Sequence, residues 1–138
     1  MEGFTLKKEE RLCSQKVLGE LFTSGESFLV YPLKVVSLKT DNSQPTPVQA
    51  SFAVSKRNFK RAVKRNLLKR RMREAYRLNK HNLYVDLATK NLQISIMFIF
   101  VGKEVLEYAT IEKSMILAFK KVMAKLWILH PLVLYFFQ

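Results

Sequence analysis

The chain has few of the residues from which enzymes build catalytic centres. Its one cysteine, Cys13, excludes an intramolecular disulfide and a cysteine metal cage. Its two histidines, His81 and His130, stand alone, and its four glycines are never clustered as a phosphate-cradling loop requires. Its eleven acidic residues are scattered, which lowers the odds of the carboxylate cluster that metal-assisted phosphodiester cleavage needs. These scarcities favour a polypeptide that binds over one with its own catalytic or metal site.

Long apolar runs are also missing. A membrane-spanning helix needs about 20 apolar residues, and the nearest stretch, residues 127–138, has twelve and is broken by Pro131. We interpret it as an apolar tail that packs on the domain, with partner binding or weak membrane association as alternatives. Residues 1–12 form a polar lead-in without the apolar core of a signal peptide. With 138 residues, 49% of them hydrophobic, the chain is expected to form one cytoplasmic domain with no membrane span.

Positive charge, in contrast, is abundant and concentrated. The formal net charge is +13, and twelve of the 24 Lys and Arg residues lie within residues 56–80, where Glu74 is the only acid. A solvated helix face normally mixes signs at i,i+4, so this like-charged run predicts a polyanionic partner. A lipid surface is disfavoured because Leu68, Met72 and Tyr76 are needed for the core and leave no apolar face for it. Nucleic acid is therefore the predicted partner.

The hydrophobic periodicities predict the element order helix, strand, strand, basic helix, strand, helix. The predicted ranges are 15–23, 28–39, 48–55, 59–80, 93–101 and 108–127, with a mixed connector over 79–91. This order predicts an α+β fold, a two-layer sandwich of a small mixed sheet and about three helices.

Particular residues refine these elements. Ser14 is a plausible N-cap of the first helix, and Gly25 suits the left-handed position after it. Pro32 indicates that the first strand lies at an edge or holds a bulge. Strict alternation over 48–55 predicts an antiparallel strand with one wet face, whereas the continuous apolar run 93–101 predicts a central strand.

The basic helix is predicted to have two faces. Leu68, Met72, Ala75 and Tyr76 recur at i, i+4, i+7 and i+8 and form a core stripe. The other side carries Asn66, Lys69, Arg70, Arg73 and Arg77, with Leu67 also off the stripe. RNA is favoured over DNA because a helix that reads DNA usually belongs to a compact helical domain, whereas this helix lies between strands. Asn66 is the one polar side chain on that face that suits a base edge or a 2′-OH.

The stretch 52–77 resembles the protein subunit of bacterial ribonuclease P. That family has a hydrophobic-Val-Ser-Lys strand end, an Ala-Val-x-Arg-Asn-Arg-x-Lys-Arg helix, and Arg-(Glu/Gln)-Ala-aromatic. The matching residues are Phe52-Ala53-Val54-Ser55-Lys56-Arg57, Ala62-Val63-Lys64-Arg65-Asn66-Leu67-Leu68-Lys69-Arg70 and Arg73-Glu74-Ala75-Tyr76. Upstream, Arg11-Leu12 and Leu21-Phe22-Thr23-Ser24-Gly25 are similar to the family's first helix and its closing Gly.

The resemblance implies a ribonucleoprotein endonuclease, a hydrolase that removes the 5′ leader of precursor tRNA in the bacterial cytoplasm. Its catalytic centre would lie in the RNA subunit, with Mg²⁺ held by RNA phosphates, and the family fold has a left-handed β-α-β crossover. A cleft between the first helix and the sheet would receive the leader, with Phe22 as the best aromatic candidate. By position, the residues facing RNA would be Arg65, Asn66, Lys69, Arg70 and Arg73, extended by Lys56, Arg57, Lys60 and Arg61.

Two positions depart from the family pattern. Leu67 replaces the second Arg of Arg-Asn-Arg, and Arg71 stands where the family usually has an apolar residue. Lys64, Arg70 and Arg71 are close enough in sequence to compensate electrostatically for Leu67. The alternative function is a non-enzymatic RNA-binding protein of ribosomal or assembly type, which explains the charge equally well.

Overall fold

The chain folds around one four-stranded sheet with helices on both faces. The structure is a computed structural model that describes residues 6–40 and 44–128, so the tail from residue 129 and the start of the lead-in lie outside the described residues. After a 3₁₀ turn at Lys8–Glu10, the elements are α1 (Gln15–Ser24), β1 (Glu26–Val30), β2 (Leu33–Lys39), β3 (Val48–Val54), α2 (Ala62–Asn79), α3 (His81–Thr89), β4 (Ile94–Phe100) and α4 (Tyr108–Ile128). The predicted α+β class is confirmed.

The sheet has the strand order β1-β2-β4-β3. β4 is central and almost wholly buried, as its continuous apolar sequence predicts. β3 pairs only with β4 in the described sheet, and it runs parallel to it, so the predicted antiparallel pairing of β3 was wrong. Alternation reports burial on one face and carries no information on strand direction. The parallel direction follows from the path of the chain, which crosses from β3 to β4 through α2 and α3. The left-handed crossover that the family resemblance implies stays a prediction.

Besides shifts of a few residues at the element ends, three features differ from the sequence prediction. Residues 28–39 are two antiparallel strands, because the chain turns at Tyr31-Pro32 and β1 pairs back on β2. The predicted connector over 79–91 contains α3, whose Leu83 and Leu87 occupy an i,i+4 pair in the core. Gly25 has φ −72° and is not left-handed. It is needed for close approach, since an added Cβ would overlap Leu21 O and lie 2.9 Å from Val36 Cγ1.

The core is divided by the sheet. The larger cluster fills the space between the sheet and α2, α3 and α4, and it includes the predicted α4 stripe from Ile111 to Leu126. A smaller cluster packs α1 on the opposite face; its buried members are Leu12, Leu21, Val36 and Met97. Ser14 caps α1 by accepting a hydrogen bond from Val17 N, as predicted. None of the helices within the described ranges is both long and apolar enough to cross a bilayer.

Residues 6–12 of the polar lead-in are attached to the domain. Leu12 N donates to Ala50 O at 2.8 Å, and the Glu10 carboxylate forms a buried ion pair with Lys80 Nζ at 2.5 Å. Lys7 N–H donates to Glu10 Oε2 at 2.6 Å. Burial by itself would raise the pKa of Glu10, but the hydrogen bonds from Lys80 and Lys7 and the Lys80 charge hold it below its usual value.

Candidate nucleic-acid interface

The orientation of α2 is fixed by its buried stripe. Leu68, Met72, Ala75 and Tyr76 are each 0% exposed, which confirms the predicted inner face. The Tyr76 ring lies at the centre of an aromatic cluster, 5.5 to 5.8 Å from the rings of neighbours on β3, β4 and α4. Edge-to-face ring contacts of this kind resist rotation of the helix about its axis. The opposite side of α2 must therefore face solvent.

That outer side and the turn before α2 carry a group of exposed cations. We define the cationic surface as the exposed Lys and Arg residues from the turn after β3 to the middle of α2: Lys56, Arg57, Lys60, Arg61, Lys64, Arg70 and Arg73. The ion pairs found in residues 6–40 and 44–128 involve none of them. Asn66 is exposed on the same side, and Lys69 is half-buried at its margin. The predicted RNA-facing residues other than Arg65 and Lys69 are thus exposed, and their contact with RNA stays a prediction.

Arg65 lies on α2 but its guanidinium turns back along the chain. Its Nη1 donates to Phe59 O at 2.7 Å and to Lys60 O at 2.8 Å, which closes the turn before the helix. The remaining N–H groups of the guanidinium are not used in these two bonds. Arg65 therefore shapes the backbone that carries Lys60 and Arg61, and its contact with RNA stays a prediction.

Arg71, the residue at the family's apolar position, is engaged in the fold. Its Nη1 donates to Leu106 O at 2.5 Å and ties the segment before α4 to α2. Because that guanidinium is held by a backbone carbonyl and is half-buried, we expect Arg71 to compensate for Leu67 less than Lys64 and Arg70 do. Leu67 itself is half-buried beside exposed residues and outside both buried core clusters, as its outward projection predicts.

The end of the basic run differs from its beginning. Arg77 pairs with Glu74, and hydrogen bonding to Arg77 lowers the pKa of that carboxyl. Asn79 Nδ2 donates to Ala75 O at 2.8 Å and to a Glu112 carboxylate oxygen at 3.2 Å. Lys80 is 4% exposed in its pair with Glu10. These side chains bond within the domain, and none of them belongs to the cationic surface.

A second candidate contact surface lies where α1 meets the sheet. Phe22 on α1 is 65% exposed. On the sheet face that α1 covers, the strand register places Leu29, Lys34, Ile99 and Ala53 side by side in one row across all four strands. Leu29 is 57% exposed and Lys34 is exposed. Sequence reasoning missed this row because the break at Tyr31-Pro32, which sets the facing of Leu29, was not predicted.

Carboxylate and imidazole clusters are absent from the described part of the chain. No group of three or more His, Cys, Asp or Glu side chains there is arranged to hold a metal ion. The lone cysteine, Cys13, is exposed.

Comparison with known proteins identifies the relatives of this fold. A family model described as Ribonuclease P matches residues 6–123. The Ribonuclease P protein component of Porphyromonas gingivalis is 39% identical over 112 residues, covering 81% of this chain and 82% of the relative. That of Chlorobium phaeobacteroides is 39% identical over 105 residues, covering 69% and 72%.

Solved structures share the fold. The RNase P protein of Staphylococcus aureus superposes with a TM-score of 0.65 at 20% identity, covering 83% of this chain and 97% of that chain. The RNase P protein of Thermotoga maritima gives 0.63 at 22% identity, covering 81% and 96%.

Proposed function

Because this chain belongs to the family of ribonuclease P protein components, we propose that it docks its cationic surface on the catalytic RNA of that enzyme. It thereby assists the endonucleolytic removal of the 5′ leader from precursor tRNA in the bacterial cytoplasm. The observation that carries the proposal is the cationic surface itself, which is held outward by a buried stripe and pairs with no acid of the described chain.

Electrostatics explains what such a surface contributes. Folded RNA brings phosphates close together, and each Lys or Arg that replaces a condensed counterion favours binding through counterion release. Neutralising that repulsion lets the RNA hold its active form with less Mg²⁺. In this proposal the catalytic Mg²⁺ ions are held by RNA phosphates and the chemistry takes place in the RNA subunit, while the protein stabilises and positions.

The leader is assigned to the surface between α1 and the sheet. A single-stranded segment is bound by aromatic or apolar side chains that stack on bases, together with cations that track the backbone. Phe22 and Leu29 are large exposed apolar side chains on this surface, and Lys34 adds an exposed cation. The register leads from this row to Ala53 on β3, and the chain then passes directly to Lys56 and Arg57 of the cationic surface. One RNA assembly can therefore contact both surfaces.

The test is reconstitution with the cognate catalytic RNA and a precursor tRNA at low Mg²⁺. The protein should raise the rate of leader removal, and the variant Lys60→Ala/Arg70→Ala/Arg73→Ala should raise it much less. The matched control, Lys103→Ala/Lys113→Ala/Lys120→Ala, removes the same charge from exposed positions before and on α4 and should behave as wild type. Tight RNA binding without any gain in cleavage would instead indicate a structural RNA-binding protein.

A further inference from the structure

The cationic surface contains an apolar notch. A shallow concavity of about 450 Å³ opens on the outer side of α2, lined by Val63, Asn66, Leu67, Arg70 and Arg73. Val63 is 79% exposed, the highest exposure among the large exposed hydrophobic side chains of the described residues. Val63 and Leu67 stand at i,i+4, so their side chains are neighbours on the helix surface. Two adjacent aliphatic side chains thus lie among cations.

Packing within the domain does not account for this notch. Neither Val63 nor Leu67 is a member of the two buried clusters, and the buried stripe of α2 lies on the other side of the helix. Two side chains expose far less area than the roughly 800 Å² per partner of a standard protein interface. The cations around them suit a ligand that is anionic at its edges and apolar at its centre.

An unpaired nucleotide has that chemistry. Its base presents a flat, weakly hydrated face, its edge carries hydrogen-bonding groups, and the phosphates on either side are anionic. We propose that the notch seats one unpaired nucleotide of the RNA partner, with the base against Leu67 and Val63. Arg70 and Arg73 then bind its flanking phosphates, and the Asn66 amide bonds the base edge or the 2′-OH. This inference rests on the proposed function and specifies one contact within it.

The arrangement explains how Leu67 is useful on a surface made for phosphate. A leucine forms no bond with phosphate. Its contact with a base still favours binding, because the contact removes apolar area from water. Because Arg70 stands one turn from Leu67 on the helix, a phosphate contact remains beside the apolar one. The notch therefore adds a salt-independent contribution to a binding surface that otherwise depends on salt.

The test uses the full chain and its cognate catalytic RNA. Dissociation constants are measured across a KCl series for wild type, Leu67→Ala, Val63→Ala and the matched control Leu78→Ala, which truncates a 39% exposed leucine of α2 outside the notch. Leu67→Ala should weaken binding about fivefold, the lower end of the range for aromatic side chains that stack on a base, because a leucine contacts the base over less area; the salt slope should be unchanged. Val63→Ala should act in the same direction, and Leu78→Ala should bind as wild type.

Acylation of the RNA 2′-hydroxyls, which reports nucleotide mobility, locates the contact. One unpaired nucleotide should be protected in the wild-type complex and reactive again in the Leu67→Ala complex, with other protections unchanged. Wild-type binding and protection retained in Leu67→Ala would overturn the notch and leave the proposed function standing. A lower salt slope for Leu67→Ala, or RNA-free self-association that Leu67→Ala abolishes, would also overturn it. Failure of wild type to bind the RNA would instead contradict the proposed function.

Discussion

The two ends of the basic run both carry Lys and Arg, but in opposite surroundings. From Lys56 to Arg73, most cations are exposed and none pairs with an acid of the described residues, whereas Arg77 and Lys80 are each paired with a carboxylate. The extreme is Lys80, which is 4% exposed. The difference shows that a run of like charge need not have one role, because a cation paired with an acid of the same chain is already neutralised, whereas an exposed unpaired cation is available to a partner from outside.

The buried pair also connects distant parts of the chain. Glu10 comes from the lead-in and Lys80 from the junction of α2 and α3, and their union holds the 3₁₀ turn against the domain. A buried ammonium without a carboxylate would be strongly unfavourable, so the two residues depend on each other. At this end of the run the basic side chains pair with acids of the same chain, Lys80 with Glu10 and Arg77 with Glu74.

The largest expected effect is on folding, from Lys80→Met. The variant leaves Glu10 buried without its ammonium and should lower the free energy of unfolding by about 3–5 kcal/mol. Urea denaturation measures the loss. The double variant Glu10→Leu/Lys80→Met removes both charges and should recover most of it. A single variant as stable as wild type would show that this end of the run is not structural.

The pH dependence of folding tests the same buried pair of Glu10 and Lys80. The pKa of Glu10 is lower in the folded chain than its ordinary value of 4.5. The Glu10 carboxylate therefore contributes to the free energy of unfolding in full above pH 4.5, and this contribution is lost as the pH falls through the folded pKa. Wild type should therefore lose more unfolding free energy on acidification below pH 4.5 than Glu10→Gln does. Parallel pH profiles for the two proteins, measured by urea denaturation, would contradict the assignment.

At the exposed end, Arg70→Ala should act on binding and leave folding nearly unchanged. One lost phosphate contact should flatten the plot of log affinity against log salt by about 0.9, with a change in stability within about 0.5 kcal/mol. Arg77→Ala is the matched variant from the paired end and should change the slope less. Equal slope changes for the two variants would remove the distinction between the ends.

Local sequence was sufficient for much of the fold. The core stripes of α2 and α4, the Ser14 cap and the central strand β4 follow from side-chain periodicity and capping chemistry, which act within a few residues. The parallel pairing of β3 did not follow, because strand direction depends on the path of the chain between β3 and β4. The ion pair of Lys80 also could not be predicted from local sequence, because its partner Glu10 lies 70 residues away in the chain.

Only part of the candidate site could be predicted from the periodicity of α2. The outward side of α2 follows from its stripe, so the positions of Asn66, Arg70 and Arg73 could be predicted. The backward bonding of Arg65 and the bond from Arg71 to Leu106 could not, because both depend on where loop carbonyls lie in the folded chain.

The most direct test of the account compares the salt dependence of binding to the cognate catalytic RNA for wild type and for Lys60→Ala/Arg70→Ala/Arg73→Ala. If the cationic surface contacts phosphates, the slope should fall by about two to three units, while the control triple variant before and on α4 keeps the wild-type slope. Parallel plots for wild type and the cationic-surface variant would show that this side of α2 does not face the RNA.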